Sequence, residues 1–175
     1  MAKVKAKICA ICKEAFIPKH ITPVCSFKCA LEYNKEKEVK KRVKEMKSEL
    51  RTHKDYIKTL QIIFNTYIRL RDKNKACISC GVNLGQSFDA GHFFSVGANP
   101  GLRFNEDNVH GQCKKCNLHL HSNASNYALE LPNRIGLCKF KALIESKNAT
   151  LKITIPEIKL MIKHYKALIK DATNT

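Results

Sequence analysis

Hydrophobic residues recur at helical spacing along much of this 175-residue chain. The longest run is Val39, Val43, Met46, Leu50, His53, Ile57, Leu60, Phe64 and Tyr67, in alternating steps of four and three. That is the 3.5-residue repeat of a coiled coil, with one polar interruption at His53. Residues 31–74 contain no Gly, Pro or Cys, so one long basic helix is predicted across them. Its apolar stripe has two open uses: packing on its own domain, or joining a second copy in a homodimer through residues 39–67. Near the other end, Thr154-Ile155-Pro156-Glu157 reads as a capping box with an early proline, starting a helix striped by Ile158, Met161, Ile162, Tyr165, Leu168 and Ile169. Gly136 to Ser146 predicts a shorter helix.

The pattern changes between these stretches. Residues 75–125 hold most of the glycines and four of the seven histidines, with strand-like apolar settings. The chain therefore divides into an N-terminal module (1–30), the long helix (31–74), a mixed core (75–125) and C-terminal helices (126–175). The fold class expected is α+β, mainly helical.

Cysteine spacing adds what the apolar pattern lacks, since Trp is absent and only 7% of residues are aromatic. Cys9-x2-Cys12 is followed by Cys25-x3-Cys29, and Cys77-x2-Cys80 by Cys113-x2-Cys116. Two cysteine knuckles place four thiolates tetrahedrally on one zinc, so two structural Zn²⁺ ions are expected. Four thiolates close the coordination shell, and neither zinc has a position left for an activated water. Phe27 is expected to pack behind the second knuckle, and Cys138, left over, to be a buried small hydrophobe. The opening residues MAKVKAKICAICK lack the apolar run of a secretory leader, and no stretch approaches a membrane span. The thiols are thus expected to stay reduced inside a cell. The formal charge of +17 excludes little but favours a polyanionic partner, nucleic acid above anionic lipid.

Candidate chemistry lies between the second pair of knuckles. His92 sits in a strand-like setting, Asn108 lies five residues before Cys113, and Asn117 directly follows Cys116. This arrangement resembles the HNH, or ββα-metal, nucleases, and Cys113-x2-Cys116-Asn117 is similar to phage endonuclease VII. A closer resemblance rests on Asp89-Ala-Gly-His92-Phe93, on Leu102-Arg103-Phe104 with the spaced Asn108, His110, Gln112, Cys113, Cys116, Asn117 and His119, and on Asn133-Arg134-Ile135-Gly136. These segments look like the NinG (Rap) recombination proteins of lambdoid phages. The resemblance implies a zinc-braced ββα-metal core preceded by a zinc-knuckle module and a basic helix. It also implies a phage- or prophage-encoded, cytoplasmic endonuclease that cuts branched recombination intermediates, as a Holliday-junction resolvase does.

Carried onto these positions, His92 is the general base, and Asn117 with Asp89 or His121 holds one Mg²⁺ or Mn²⁺. Asn108 orients the strand or His92, and Arg103, Lys114 and Lys115 contact phosphates. Two departures bear on this. The family motif has Asp directly before the histidine, where this chain has Gly91. In an extended strand Asp89 faces with Gly91 and opposite His92, so Asp89 serves as ligand only if the strand bends at Ala90-Gly91. His121 depends on a continuous helix that sets it four residues from Asn117 on one face. The whole site requires His92 and Asn117 to meet at one cation. A non-catalytic zinc-finger DNA-binding protein accounts for the charge and cysteines without that meeting, and an RNA-binding accessory protein is a third reading.

Overall fold

The computed structural model describes residues 6–18 and 21–174, apart from the side chains of Ser48 and Glu49. The chain forms two compact units, residues 1–51 and 52–175, where the apolar pattern marked four segments.

In the first unit, β1 (Lys7–Ile8) pairs antiparallel with β2 (Ala15–Phe16), and the turn between them carries Cys9 and Cys12. Helix α1 (Phe27–Glu49) starts within the second cysteine pair, after Cys25 and with Cys29 in its first turn. The buried core here is only Cys9, Val24 and Cys29, with Phe16, Ala30 and Tyr33 packed around it. Phe27 does not back the knuckle; it is 80% exposed, because Cys29, Ala30 and Tyr33 take the inward side of the first helical turns. Further along α1, Val39, Val43 and Met46 are all exposed, as is Leu50 just beyond its end.

The helix expected over 31–74 is not continuous. Residues 50–52 lie outside any helix, and α2 (His53–Asp72) starts afresh in the second unit. Thr52 is extended (φ −79°, ψ 163°) and forms a reciprocal capping box with Asp55. The Asp55 N–H donates to Thr52 Oγ1 at 3.3 Å, and the Thr52 N–H donates to Asp55 Oδ2 at 3.0 Å. Those bonds satisfy orphan donors at the new helix start. From there Ile57, Leu60, Phe64 and Ile68 turn inward and pack on Ile158 and Tyr165 of α5 (Ile155–Asn174). The Phe64 and Tyr165 rings meet edge to face at 5.1 Å. The second half of the heptad run is therefore core of its own unit, whereas Val39, Val43 and Met46 of the first half are exposed.

A hairpin of β3 (Asp89–His92) and β4 (Val109–Gln112) lies between α2 and α3 (Ala124–Ile135). Ala90 and Val109 join the α2 core, while Tyr127 of α3 donates a hydrogen bond to the Gly91 carbonyl at 3.1 Å. Asp72, fully buried at the end of α2, accepts the Gly111 N–H at 2.8 Å and is paired with Arg71 and Lys75. A second core gathers Ile78, Leu102, Tyr127, Leu131 and Leu143, the last from α4 (Leu137–Glu145). Cys138 on α4 is exposed, since the inward side of that helix is carried by Phe140 and Leu143. The molecule is mainly helical with two small sheets, and no helix among the described residues is long and apolar enough to cross a membrane.

Candidate metal and active sites

Each cysteine quartet converges. In both groups the four sulfurs lie within 4.8 Å of one another. Individual Sγ···Sγ separations are 3.5 Å for Cys12–Cys25, 3.8 Å for Cys25–Cys29 and 3.7 Å for Cys80–Cys113. A tetrahedral zinc with Zn–S bonds near 2.3 Å requires sulfurs about 3.8 Å apart, whereas a disulfide requires about 2 Å. Both quartets can therefore hold zinc as built. In the second, Cys77 and Cys116 are buried with Leu84 and Phe88, which ties the knuckles to the strand leading into β3. The same knuckle turn fixes Asn117, whose backbone N–H donates to the Cys113 carbonyl at 2.9 Å.

The candidate catalytic residues divide into two places. Asn117 Nδ2 donates to Asp89 Oδ2 at 3.0 Å, so residues 28 positions apart meet directly. A flip of the Asn117 amide, exchanging two nearly isosteric groups, turns its oxygen to the same side as the carboxylate. The pair then offers the hard oxygen donors that Mg²⁺ and Mn²⁺ take. His92 lies at the other end of β3, and no hydrogen bond joins it to Asn117 among the described residues. Its Nε2 is 3.0 Å from the Arg103 carbonyl. A carbonyl only accepts, so Nε2 carries the proton and Nδ1 is the free lone pair. Burial pushes the His92 pKa below its usual value, opposed by the Arg103 carbonyl, and the ring is neutral near pH 7.

The bend required at Ala90-Gly91 does not form. Pairing is regular from Asp89↔Gln112 through Ala90↔Gly111 and Gly91↔His110 to His92↔Val109. By the pleat, Asp89 shares a face with Gly91, His110 and Gln112, and His92 lies on the other. Asp89 reaches Asn117 without a bend, because the knuckle turn comes to Asp89. His121 loses its rationale. Lys115–His119 is a single π-helical turn, and His121, Ser122 and Asn123 all have positive φ (47°, 67° and 42°), so no helix carries 117 and 121 on one face. No third convergence of His, Cys, Asp or Glu joins the two quartets among the described residues.

Asn108 is fully buried and touches no site that a substrate enters. Its Nδ2 donates to the Phe94 and Leu102 carbonyls at 3.1 and 3.0 Å, and its Oδ1 accepts the Phe94 N–H at 2.8 Å. It thus fixes the loop that leaves His92. Arg103 is turned inward, donating from Nε to Gln61 Oε1 at 2.6 Å, whereas Lys114 and Lys115 are exposed.

Two buried polar residues on β4 escaped the sequence reading. Tyr127 spends its proton on Gly91, so its oxygen accepts from His110 Nδ1 at 3.1 Å. Fully buried Gln112 donates through Nε2 to Ser79 Oγ and the Ser122 carbonyl. The signal was alternation: polar 110 and 112 flank small Gly111 beside an apolar Val109. It marks a strand with a polar inner face, which period-2 reasoning assigns to solvent.

Over residues 35–175 the sequence matches the family described as Bacteriophage Lambda NinG protein. It is 34% identical to "Protein ninG" of Escherichia phage 933W, with all of this chain and 98% of the relative aligned. Identity is 39% to "Protein ninG" of Escherichia phage lambda over 77% of this chain and 65% of the relative. For the protein of that name from Salmonella phage P22 it is 37%, over 74% and 64%. No solved structure matches. With the family match spanning most of its length and relatives aligned along the whole of it, the chain belongs to the NinG family of lambdoid phages.

Proposed function

We propose that this protein is a structure-selective DNA endonuclease of HNH type, hydrolysing phosphodiesters in branched recombination intermediates such as Holliday junctions. The observation that carries the reading is the contact of Asp89 with Asn117, on a hairpin braced by the second cysteine quartet and ending in a neutral imidazole. Asp89 and Asn117 would hold Mg²⁺ or Mn²⁺, which would supply charge stabilisation at the phosphate and the leaving 3′ oxygen. His92, with Nε2–H held by the Arg103 carbonyl, takes the proton of an attacking water at Nδ1. Asn108 positions the loop behind it. Among the described residues no third strand pairs with β3, so a DNA strand lying along that edge meets side chains from both faces. Lys114 and Lys115 contact its phosphates, and the exposed α1 stripe pairs two copies for paired cuts.

A second reading, a zinc-stapled DNA-binding protein without chemistry, is favoured by the alternation that sets His92 across the hairpin from Asp89. Incubating a four-way junction, a flap, duplex and single strands with the protein and Mg²⁺ or Mn²⁺ separates the two. Cleavage of branched DNA that requires the added ion, lost in His92→Ala while junction binding is retained, supports the nuclease. Undiminished cutting by His92→Ala removes His92 and this site from the chemistry, and binding with no cutting under either ion leaves the passive binder.

A further inference from the structure

One polar groove of the second unit has no part in that chemistry. It encloses about 430 Å³ where the ends of α2 and α3 meet β4 and α4. Arg71, Lys75, Arg134 and Lys139 line it with His110, against the carboxylates of Glu106 and Asp107. Arg134 belongs to Asn133-Arg134-Ile135-Gly136, a segment of the family resemblance to which the proposed reaction gives no task.

The cations are not equally engaged. Arg71 is locked by the Val109 carbonyl at 2.7 Å, the Glu106 carbonyl at 3.1 Å and buried Asp72. Lys75 shares Asp72 with it at 2.8 Å. Glu106 is held from behind by the hydroxyls of Tyr67 and Tyr165 at 3.0 and 3.3 Å. Lys139 has only a surface pair with Asp107 at 3.4 Å, a contact weak enough to exchange. Arg134 donates from Nη2 to the Ala76 carbonyl at 3.0 Å, which fixes its plane, while its buried Nη1 has no partner. A buried guanidinium donor without an acceptor costs on the order of 1–3 kcal/mol or more, so this one calls for an oxygen. His110 gives the groove a neutral wall: its Nδ1–H is committed to Tyr127, so it offers no donor to an anion, and the donors must come from the cations.

We infer that this groove is a phosphate-binding site, with Arg134 as the fixed guanidinium donor, Lys139 as the cation that swings onto the same group, and Arg71 and Lys75, held by Asp72, adding positive charge beside it. A phosphate suits it better than a carboxylate, because its several oxygens can take Arg134 of α3 and Lys139 of α4 at once. The phosphate belongs to a nucleic acid, at an end or along the backbone, or is free. The inference stands apart from the nuclease reading, since it involves neither Asp89, His92 nor Asn117.

The test is titration of the intact protein with inorganic phosphate at constant ionic strength, following the arginine Nε–Hε resonances. The expected result is a saturable shift on Arg134, absent with chloride. Lys139→Glu, at an exposed position, weakens the affinity about tenfold, as two units of charge change a few ångströms from an anion would. Arg134→Gln abolishes the binding, and Arg134→Lys, which keeps the charge but not the fork, recovers part of the affinity. A 5′-phosphorylated oligonucleotide binding more tightly than its unphosphorylated twin identifies an end as the ligand; equal binding identifies the backbone. Absence of saturation with phosphate and both oligonucleotides, or unchanged affinity in Lys139→Glu and a folded Arg134→Gln, overturns the site. Branched-DNA cleavage measured on the same samples reads the nuclease independently.

Discussion

Asn108 and His92 were drawn from the same motif, yet they behave as different kinds of residue. With its three side-chain hydrogen bonds fully enclosed, Asn108→Ala strands the Phe94 N–H and two carbonyls. Unfolding by urea should show a loss of roughly 2–4 kcal/mol, and cutting and DNA binding should decline together. His92→Ala should leave both the urea midpoint and junction affinity near wild type while the cleavage rate falls about 10²–10⁴-fold. Because burial lowers the His92 pKa from 6.5, the base stays available below that pH. The acid limb of the rate profile should accordingly lie below pH 6.5, and a limb above it would exclude His92 as the base.

His110 gives a stability prediction of the same sign. Burial, then the charge of Arg71, pushes its pKa down to about 3. Between about pH 6.5 and 3 the unfolded chain binds a proton that the folded chain refuses, so stability drops as pH falls through that window. His110→Gln should flatten the drop in a series of melts, by comparison with wild type under the same buffers. The candidate residues were named from the sequence; how they group was not legible there. Spacing along the chain cannot say that the knuckle turn would come to Asp89, since this depends on the register of β4. The gap at Gly91 also has a cause that only packing reveals. A Cβ there would collide with Gln112 Oε1, so Gly91→Asp should destabilise the hairpin rather than restore the family's acidic ligand.

At the scale of elements, the heptad count read a true amphipathic pattern and missed its interruption. Steps of three and four continue across Leu50 and His53 regardless of whether the backbone does. The discriminating signal was chemical: Thr52-His53-Lys54-Asp55 is itself a capping motif, and it starts α2. Thr52→Ala should cost the second unit about 1 kcal/mol in thermal or urea unfolding. Helices α4 and α5 came within a residue or two of expectation because glycine and a Thr-x-x-Glu start mark them. There Glu157 accepts from both the N–H and the hydroxyl of Thr154 at 2.7 Å. The turn after Cys116 went the other way. Its sequence has no helix breaker, and Gln112 pulling on the Ser122 carbonyl accompanies the three positive φ values that end it.

For the whole molecule, charge and cysteines set the terms. At +17, association with DNA should weaken steeply with salt, and the slope of log K against log salt counts the phosphates neutralised. The cysteine quartets were the most legible feature of all, since ligand spacing is nearly independent of the fold around it. Elemental analysis should find two zinc ions per chain. Chelation should unfold the first unit entirely, because it buries little besides Cys9, Val24 and Cys29. The second unit keeps its α2–α5 core under the same treatment, and its melting transition should persist.

The fate of the second quartet bears on more than stability. Its two knuckles stand at either end of the segment that contains β3, the Asn108 loop and β4, so the ion fastens that segment at its base like a clasp. Opened, the clasp loosens the turn after Cys113 that carries Asn117 to Asp89, while β3 and β4 stay packed on α2. Zinc supply would then act as a licence for the phosphodiester chemistry without taking part in it. A protein starved of the metal would still carry every reactive group and assemble none of them.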